Sequence, residues 1–225
     1  MIDQHTLYVD NFRGFRDTFL PISNVNFLVG ENSSGKTSLL SLLKLMSEGR
    51  LLLNNQFSAE DVNLGTFQDI VSAHADQPNY FRIGMLRREV MRGGSQMPMG
   101  MLVTYENHEG LPRDVKFTCT YGDREVALRR VGKEFHYRTA DEAITADTDI
   151  KRLFARWVGD HERTDGNFTK LDFPFSPDQS LLFPVSLVSL NAQWPKQGTS
   201  RLLTPTVFPP LTWVAPIRTK PRRTY

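Results

Sequence analysis

Apolar and polar positions change period three times along this 225-residue chain. Over residues 5–29 the apolar residues sit in short extended runs. Leu7, Val9, Phe12 and Phe15 lie near a bend at Gly14, and Phe19 to Ile22 follow. Val25-Asn26-Phe27-Leu28-Val29 is a short apolar run closed by Gly30, which predicts a buried strand. From Lys36 the period lengthens. Leu39, Leu42, Leu43 and Met46 recur at helical spacing, and Leu40 and Leu45 widen the stripe. A stripe of that width predicts a helix facing a core, with Gly49 as its stop or as a break before Leu51 to Leu53. Residues 80–138 then alternate in short segments: Phe81 to Met85, Met101 to Tyr105, Val115 to Tyr121, Glu125 to Arg130 and Glu134 to Arg138. Polar or glycine-containing turns separate them, which predicts an antiparallel meander. Residues 140–159 return to helical spacing, with Ile150, Leu153, Phe154 and Trp157 on one face, and 160–212 read as irregular.

Composition narrows the class. Apolar residues make up 40% and charged residues 23%, values of an ordinary globular protein that exclude collagen-like, low-complexity and coiled-coil chains. The net charge of +2 does not predict wholesale nucleic-acid binding, though a local patch stays open. Arg outnumbers Lys 19 to 8, which suits bidentate contacts with phosphate or carboxylate. Cys119 is the single cysteine, so no intrachain disulfide forms, and the usage fits a reducing cytosol. No apolar stretch is long enough to span a bilayer, and the N-terminus has no signal-peptide pattern. The expectation is a soluble cytoplasmic protein without a membrane partner.

One motif carries chemistry. Gly30-Glu31-Asn32-Ser33-Ser34-Gly35-Lys36-Thr37 fits the phosphate-binding pattern G-x-x-x-x-G-K-[ST]. Chance supplies about 0.005 such matches in a chain of this composition. It follows the run 25–29 and opens the helix of Lys36, as its mechanism requires. The glycines let successive backbone N–H groups turn inward onto phosphate oxygens, and the helix N-terminus adds partial positive charge. Lys36 is expected on the β- and γ-phosphates of ATP, and the Thr37 hydroxyl on the bridging Mg2+. Ser38 completes the expected nucleotide-contacting set.

Asn32 sharpens the class. With Asn32 in the third loop position, the motif resembles G-x-N-x-x-G-K-[ST] of the SMC, RecF and OLD-type ATPases. Asp10-Asn11-Phe12-Arg13-Gly14-Phe15-Arg16 resembles their first-strand pattern N-F-[RK]-x-[FI], which adds Arg13 to the nucleotide set. Asn63 to Val71 resembles their segment leading into the second lobe. Gln68 is there either a Q-loop glutamine sensing Mg2+ and γ-phosphate or an exposed loop glutamine. Trp213 to Tyr225, with Pro216-Ile217-Arg218 and Pro221-Arg222-Arg223-Thr224-Tyr225, resembles a stretch of OLD-like bacterial ATPases, including Septu-type and retron-associated defence proteins.

The resemblance implies an α/β P-loop core of the ABC ATPase-head type with an antiparallel β lobe, divided as 1–75, 76–140 and 141–225. It implies ATP and Mg2+ as cofactors and a second ATPase head as partner. It further implies an HNH-type nuclease, and DNA or retron nucleic acid. Such a head also needs an apolar strand ending in Asp-Glu and an L-S-G-G-x loop. Leu102 to Glu106 lacks the Asp and lies in the meander, and Gly93-Gly94-Ser95-Gln96 has the wrong order and reads as a hairpin loop. The chain is therefore expected to need a C-terminal half, and to hydrolyse ATP only when completed.

The remaining features point to less. His5, His74, His108, His136 and His161 are scattered without metal spacing. Asp160-His161-Glu162 with Asp165 reads either as ligands or, as charge runs usually do, as a solvated helix-end cluster. Phe168, Phe173, Phe175 and Phe183 read as core. The tail cations Arg218, Lys220, Arg222 and Arg223 serve either DNA phosphate or packing and ion pairing within the completed protein.

Overall fold

The structure is a computed structural model that describes residues 5–31, 35–48, 51, 55–73, 78–90, 96–121, 124–141, 148–163 and 166–171. Outside these lie Asn32, Ser33, Ser34, the 91–95 loop, His74, Asp165, the aromatics at 173, 175 and 183, and the basic tail.

One sheet organises the chain. Its strands are β1 (His5–Asp10), β2 (Thr18–Ile22), β5 (Tyr80–Val90), β6 (Gln96–His108), β7 (Leu111–Tyr121), β8 (Arg124–Val131), β9 (Glu134–Asp141) and β10 (Thr169–Lys170). They lie in the order β10-β9-β8-β7-β6-β5-β1-β2, all antiparallel. A two-stranded ribbon of β3 (Ser58–Ala59) and β4 (Val62–Asn63) stands apart. The helices are α1 (Lys36–Ser47), α2 (Phe67–Ile70) and α3 (Ile150–Glu162). Each alternating segment of 80–138 falls in a strand of β5 to β9, as period 2 dictates.

Alternation sorts side chains between two cores. One face of the sheet buries Leu7, Val9, Phe81, Ile83, Val103, Tyr105, Phe117 and Leu128 against Leu39, Leu42 and Leu45 of α1. The other face buries Tyr8, Leu86 and Leu102 against Leu153, Phe154 and Trp157 of α3. Glycines let α3 settle there. A Cβ on Gly84 would stand 2.5 Å from Phe154 Cε1, and one on Gly100 3.1 Å from Trp157 Cη2. The Trp157 indole N–H donates to the buried Glu125 carboxylate at 2.7 Å.

The antiparallel lobe is present, and among the described residues the sheet is antiparallel throughout. One expectation needs correction. Val25–Val29 is not a buried strand: Val25, Phe27 and Val29 are 70%, 87% and 92% exposed. A strand forms only where a neighbour satisfies its N–H and C=O groups. Here an Asn26–Ser23 turn leads the chain off the end of β2. Asn26 Oδ1 accepts from Ser23 N at 3.0 Å and Nδ2 donates to Ser23 O at 2.6 Å. No described strand pairs with the residues that follow.

Candidate functional site

The site is built where the turn after β1 meets the first turn of α1. The chain bends sharply between Phe12 and Phe15, which exchange backbone hydrogen bonds of 3.1 and 2.8 Å. Arg13 sits in that bend with φ +49°, a left-handed conformation that costs an L-residue about 1 kcal/mol or more. Three side chains of the bend have separate tasks. Phe12 is fully buried in the α1-side core. Arg13 donates from Nη1 to Ser38 Oγ at 3.0 Å and from Nη2 to Leu64 O at 3.1 Å. Phe15 packs its ring edge on Gly35, where a Cβ would meet Phe15 Cζ at 3.0 Å.

Gly35 has φ +85° and forms the N-cap of α1, so two constraints exclude a side chain there. Gly35 brings no capping side chain to the helix N-terminus, and the first turn of α1 carries no acid. An N-terminus left in that state presents its amide donors and its dipole to an anion. Lys36 folds back over the loop, with Nζ donating to Gly30 O at 2.7 Å and Glu31 O at 2.6 Å. Its ammonium is thereby held against the start of the loop. Thr37 is exposed at the same helix start, while Ser38 is buried. A glycine cap, the amide donors of a helix start, a lysine drawn onto the 30 and 31 carbonyls and an exposed threonine make up the described part of the motif.

The described site residues thus converge in part. Gly30, Glu31, Gly35, Lys36 and Thr37 form one surface. Arg13 and Ser38 stand behind it, bonded to each other. Arg13 also reaches the α2 region, since its backbone N donates to Ile70 O at 2.7 Å. Gln68 is exposed on α2. That short helix is closed by a capping box, with Thr66 N and Oγ1 both donating to Asp69 Oδ2 at 2.8 Å. These bonds hold the Asp69 carboxyl below its ordinary range.

The helix-end histidine is not solvated as its neighbours in sequence suggested. His161 is buried, with Nδ1 at 2.8 Å from Thr104 Oγ1 and Nε2 at 2.8 Å from Thr118 Oγ1. Burial, then Arg82, Lys116 and Arg138, push its pKa down to about 3. Arg82 is the buried partner of Asp10 at 3.0 Å and also reaches Glu162 at 3.1 Å. Among the described residues no His/Cys/Asp/Glu group could hold a metal ion, and no helix is long and apolar enough to cross a membrane.

Residues 5–85 match the family described as AAA ATPase domain, a little over a third of the chain. The matched stretch contains the Arg13 bend, the whole loop 30–37, α1 and α2, and it ends inside β5. The match supports a nucleotide-binding P-loop ATPase, and proteins of the matched family generally bind ATP with Mg2+. No curated protein matches the chain.

Proposed function

We propose that this chain is the ATP-binding part of an OLD/RecF/SMC-like ATPase head that controls a nucleic-acid-directed effector. The observation that carries the nucleotide reading is Lys36, folded onto the Gly30 and Glu31 carbonyls at the glycine-capped N-terminus of α1. Gly30 to Thr37 would hold the triphosphate and Thr37 the Mg2+. The ion neutralises charge on the β- and γ-phosphates when bound. Arg13 and Ser38 would position the loop from behind.

The finer reading rests on the residues that resemble that branch: Asn32, the Asn11-Phe12-Arg13-Gly14-Phe15 bend and the stretch 213–225. By that resemblance the partners are a second ATPase head and an HNH-type nuclease, with DNA or retron nucleic acid, in anti-phage defence. ATP occupancy would bias the effector only through states that bind it differently.

A second reading, a nucleotide-gated interaction module without hydrolysis, is favoured by Leu102–Glu106. That run is the nearest imitation of an acid-ended ATPase strand, and it lies in the middle of antiparallel β6. Phosphate release separates the readings, provided binding is established first. At about 100-fold excess over Kd, Mg-ATP should stabilise the chain by about 2.7 kcal/mol. For a protein of this size that raises Tm by about 5–10 °C. No shift with ATP, or an equal shift in Lys36→Ala, refutes the nucleotide reading.

A further inference from the structure

Three residues of the bend behind the nucleotide loop are left-handed without being glycine: Asn11 at φ +53°, Arg13 at +49° and Asp17 at +40°. Each is strained, and such strain persists only where the surroundings over-determine it. The bend therefore needs anchors outside itself. Two are backbone bonds to the segment around α2, with Ser72 N donating to Asn11 O and Arg13 N to Ile70 O, each at 2.7 Å. Another is a side chain. The Asp17 N–H donates to Asp10 Oδ1 at 3.1 Å, so the last residue of β1 closes the bend that follows it.

Asp10 shares a strand face with Tyr8, on the α3 side of the sheet. Arg82 of β5 stands directly opposite it in register. Arg82 Nη1 donates to Asp10 Oδ2 at 3.0 Å, and the two side chains are nearly closed to solvent, at 4% and 11% exposed. One oxygen of the carboxylate thus serves the bend while the other faces a buried cation. The Arg82 guanidinium is itself oriented from two further sides. It lies 4.2 Å from the centroid of the Tyr80 ring, and Nη2 donates to Glu162 at 3.1 Å. Glu162 is 60% exposed, so that arm is screened and contributes little. The buried arm to Asp10 is the stronger one.

We propose that Asp10, oriented by Arg82, is a positioning residue for the triphosphate site. Given the nucleotide reading of residues 30–37, on which this rests, the route is short. Asp10 holds Asp17 and closes the bend. The bend carries Arg13, bonded to Ser38, and Phe15, packed on Gly35. Those two contacts flank Lys36 and Thr37 at the start of α1. A carboxylate on one face of the sheet thereby sets a helix start on the other. Binding groups of this kind must be held within about 0.5 Å of their working positions, so a loosened bend turns Lys36 and the helix amides off the phosphates. A buried ion pair adds little net stability over apolar residues of similar size. Here it supplies a fixed direction for the carboxylate that the bend needs.

The test uses the full chain and two measurements. Asp10→Asn removes the charge that Arg82 faces, and Asp10→Glu keeps it but moves the carboxylate by one methylene. Glu125→Gln is the contrast. It alters a buried carboxylate that holds Arg156 and Trp157 of α3, on β8, which β7, β6 and β5 separate from β1. Hydrogen exchange without ligand should rise in the bend and in the first turns of α1 in both Asp10 variants, while β6 and β7 stay protected. Glu125→Gln should leave the bend and α1 unchanged. Calorimetry with Mg-ATP should show affinity weakened about threefold or more in the Asp10 variants and within about twofold in Glu125→Gln. If Asp10→Asn does not fold, Asp10→Glu carries both measurements, and loss of folding in both would overturn the proposal in favour of a general structural role. Unchanged exchange or unchanged ATP affinity in a folded Asp10 variant, or equal losses in Glu125→Gln, would also overturn it while leaving the nucleotide reading intact. No ATP binding by either the unmodified chain or Lys36→Ala would refute that reading, and this proposal with it.

Discussion

Arg13 and Ser38 lie 25 residues apart in the chain, and a 3.0 Å hydrogen bond from Nη1 to Oγ ties the β1 bend to the second residue after the motif lysine. The same guanidinium holds Leu64 O at 3.1 Å. The loop's helix is thus fixed from behind by a residue that sits in a left-handed conformation. Removing the side chain should cost about 2 kcal/mol, since bonds to charged donors are worth about 1.5–3 kcal/mol each and this one is partly solvated. Arg13→Gly should lose about 1 kcal/mol less than Arg13→Ala, because glycine tolerates φ +49°. Denaturant melts of both variants, and a double-mutant cycle with Ser38→Ala, check this. Additive effects would mean that the bond carries nothing.

Gly84→Ala tests how α3 is seated. The new methyl would lie 2.5 Å from Phe154 Cε1, inside a buried aromatic cluster in which Phe154 stacks on Tyr8 at 5.0 Å. Overpacking of this kind costs about 1–3 kcal/mol. Tm should fall by several degrees, while ATP affinity changes little, because α1 lies on the opposite face. Gly110→Ala is the useful contrast. It has open space around it but φ +87°, so its loss comes from backbone strain alone.

His161 gives the chain a pH dependence of known sign. Its folded pKa of about 3 lies below the ordinary value of 6.5, so the unfolded chain binds the extra proton between those limits. Stability from this group is fully present above about pH 6.5 and is lost as pH falls toward 3. The slope is at most about 1.4 kcal/mol per pH unit. His161→Gln keeps polar atoms for Thr104 and Thr118 but cannot charge. Urea melts between pH 7 and 4 should show a shallower decline for the variant. Equal slopes would place the titration elsewhere.

Much of the fold was legible in the sequence where one local period decided it. The alternation of Phe81–Met85 and Met101–Tyr105 gave β5 and β6, and the stripe Leu39–Leu42–Leu45 gave α1. The glycine and lysine spacing placed the loop on the helix it needs. Val25–Val29 misled because an apolar run states only that burial is wanted, and a strand needs a neighbour to supply it. The helix-end His161 misled for the opposite reason. Charged residues flank it, yet its hydroxyl partners lie 57 and 43 residues away and are brought over it by register. The same is true of Asp10 and Arg82, which are unremarkable in sequence and become an ion pair only across β1 and β5. Parity along the strands was the one sequence signal that could have grouped them.

Thr37→Ala separates metal from phosphate recognition. Thr37 is exposed at the start of α1, and the motif proposes its hydroxyl as the Mg2+ ligand. The variant should bind ATP in EDTA about as well as the unmodified chain, yet lose most of the gain that Mg2+ brings. Titration of ATP with and without Mg2+ reads the difference. A uniform loss in both conditions would assign Thr37 to the phosphates instead.

The proposed triphosphate site, Gly30 to Thr37, centres on the ammonium of Lys36. Isothermal calorimetry of Mg-ATP into the full chain and into Lys36→Ala tests it most directly. Loss of a charge-assisted contact worth about 1.5–3 kcal/mol should weaken binding about ten- to a hundredfold, with both proteins equally folded. Saturable binding by the unmodified chain, weakened to that extent in the variant, is the predicted result. Equal affinities, or no heat of binding with either protein, would contradict it.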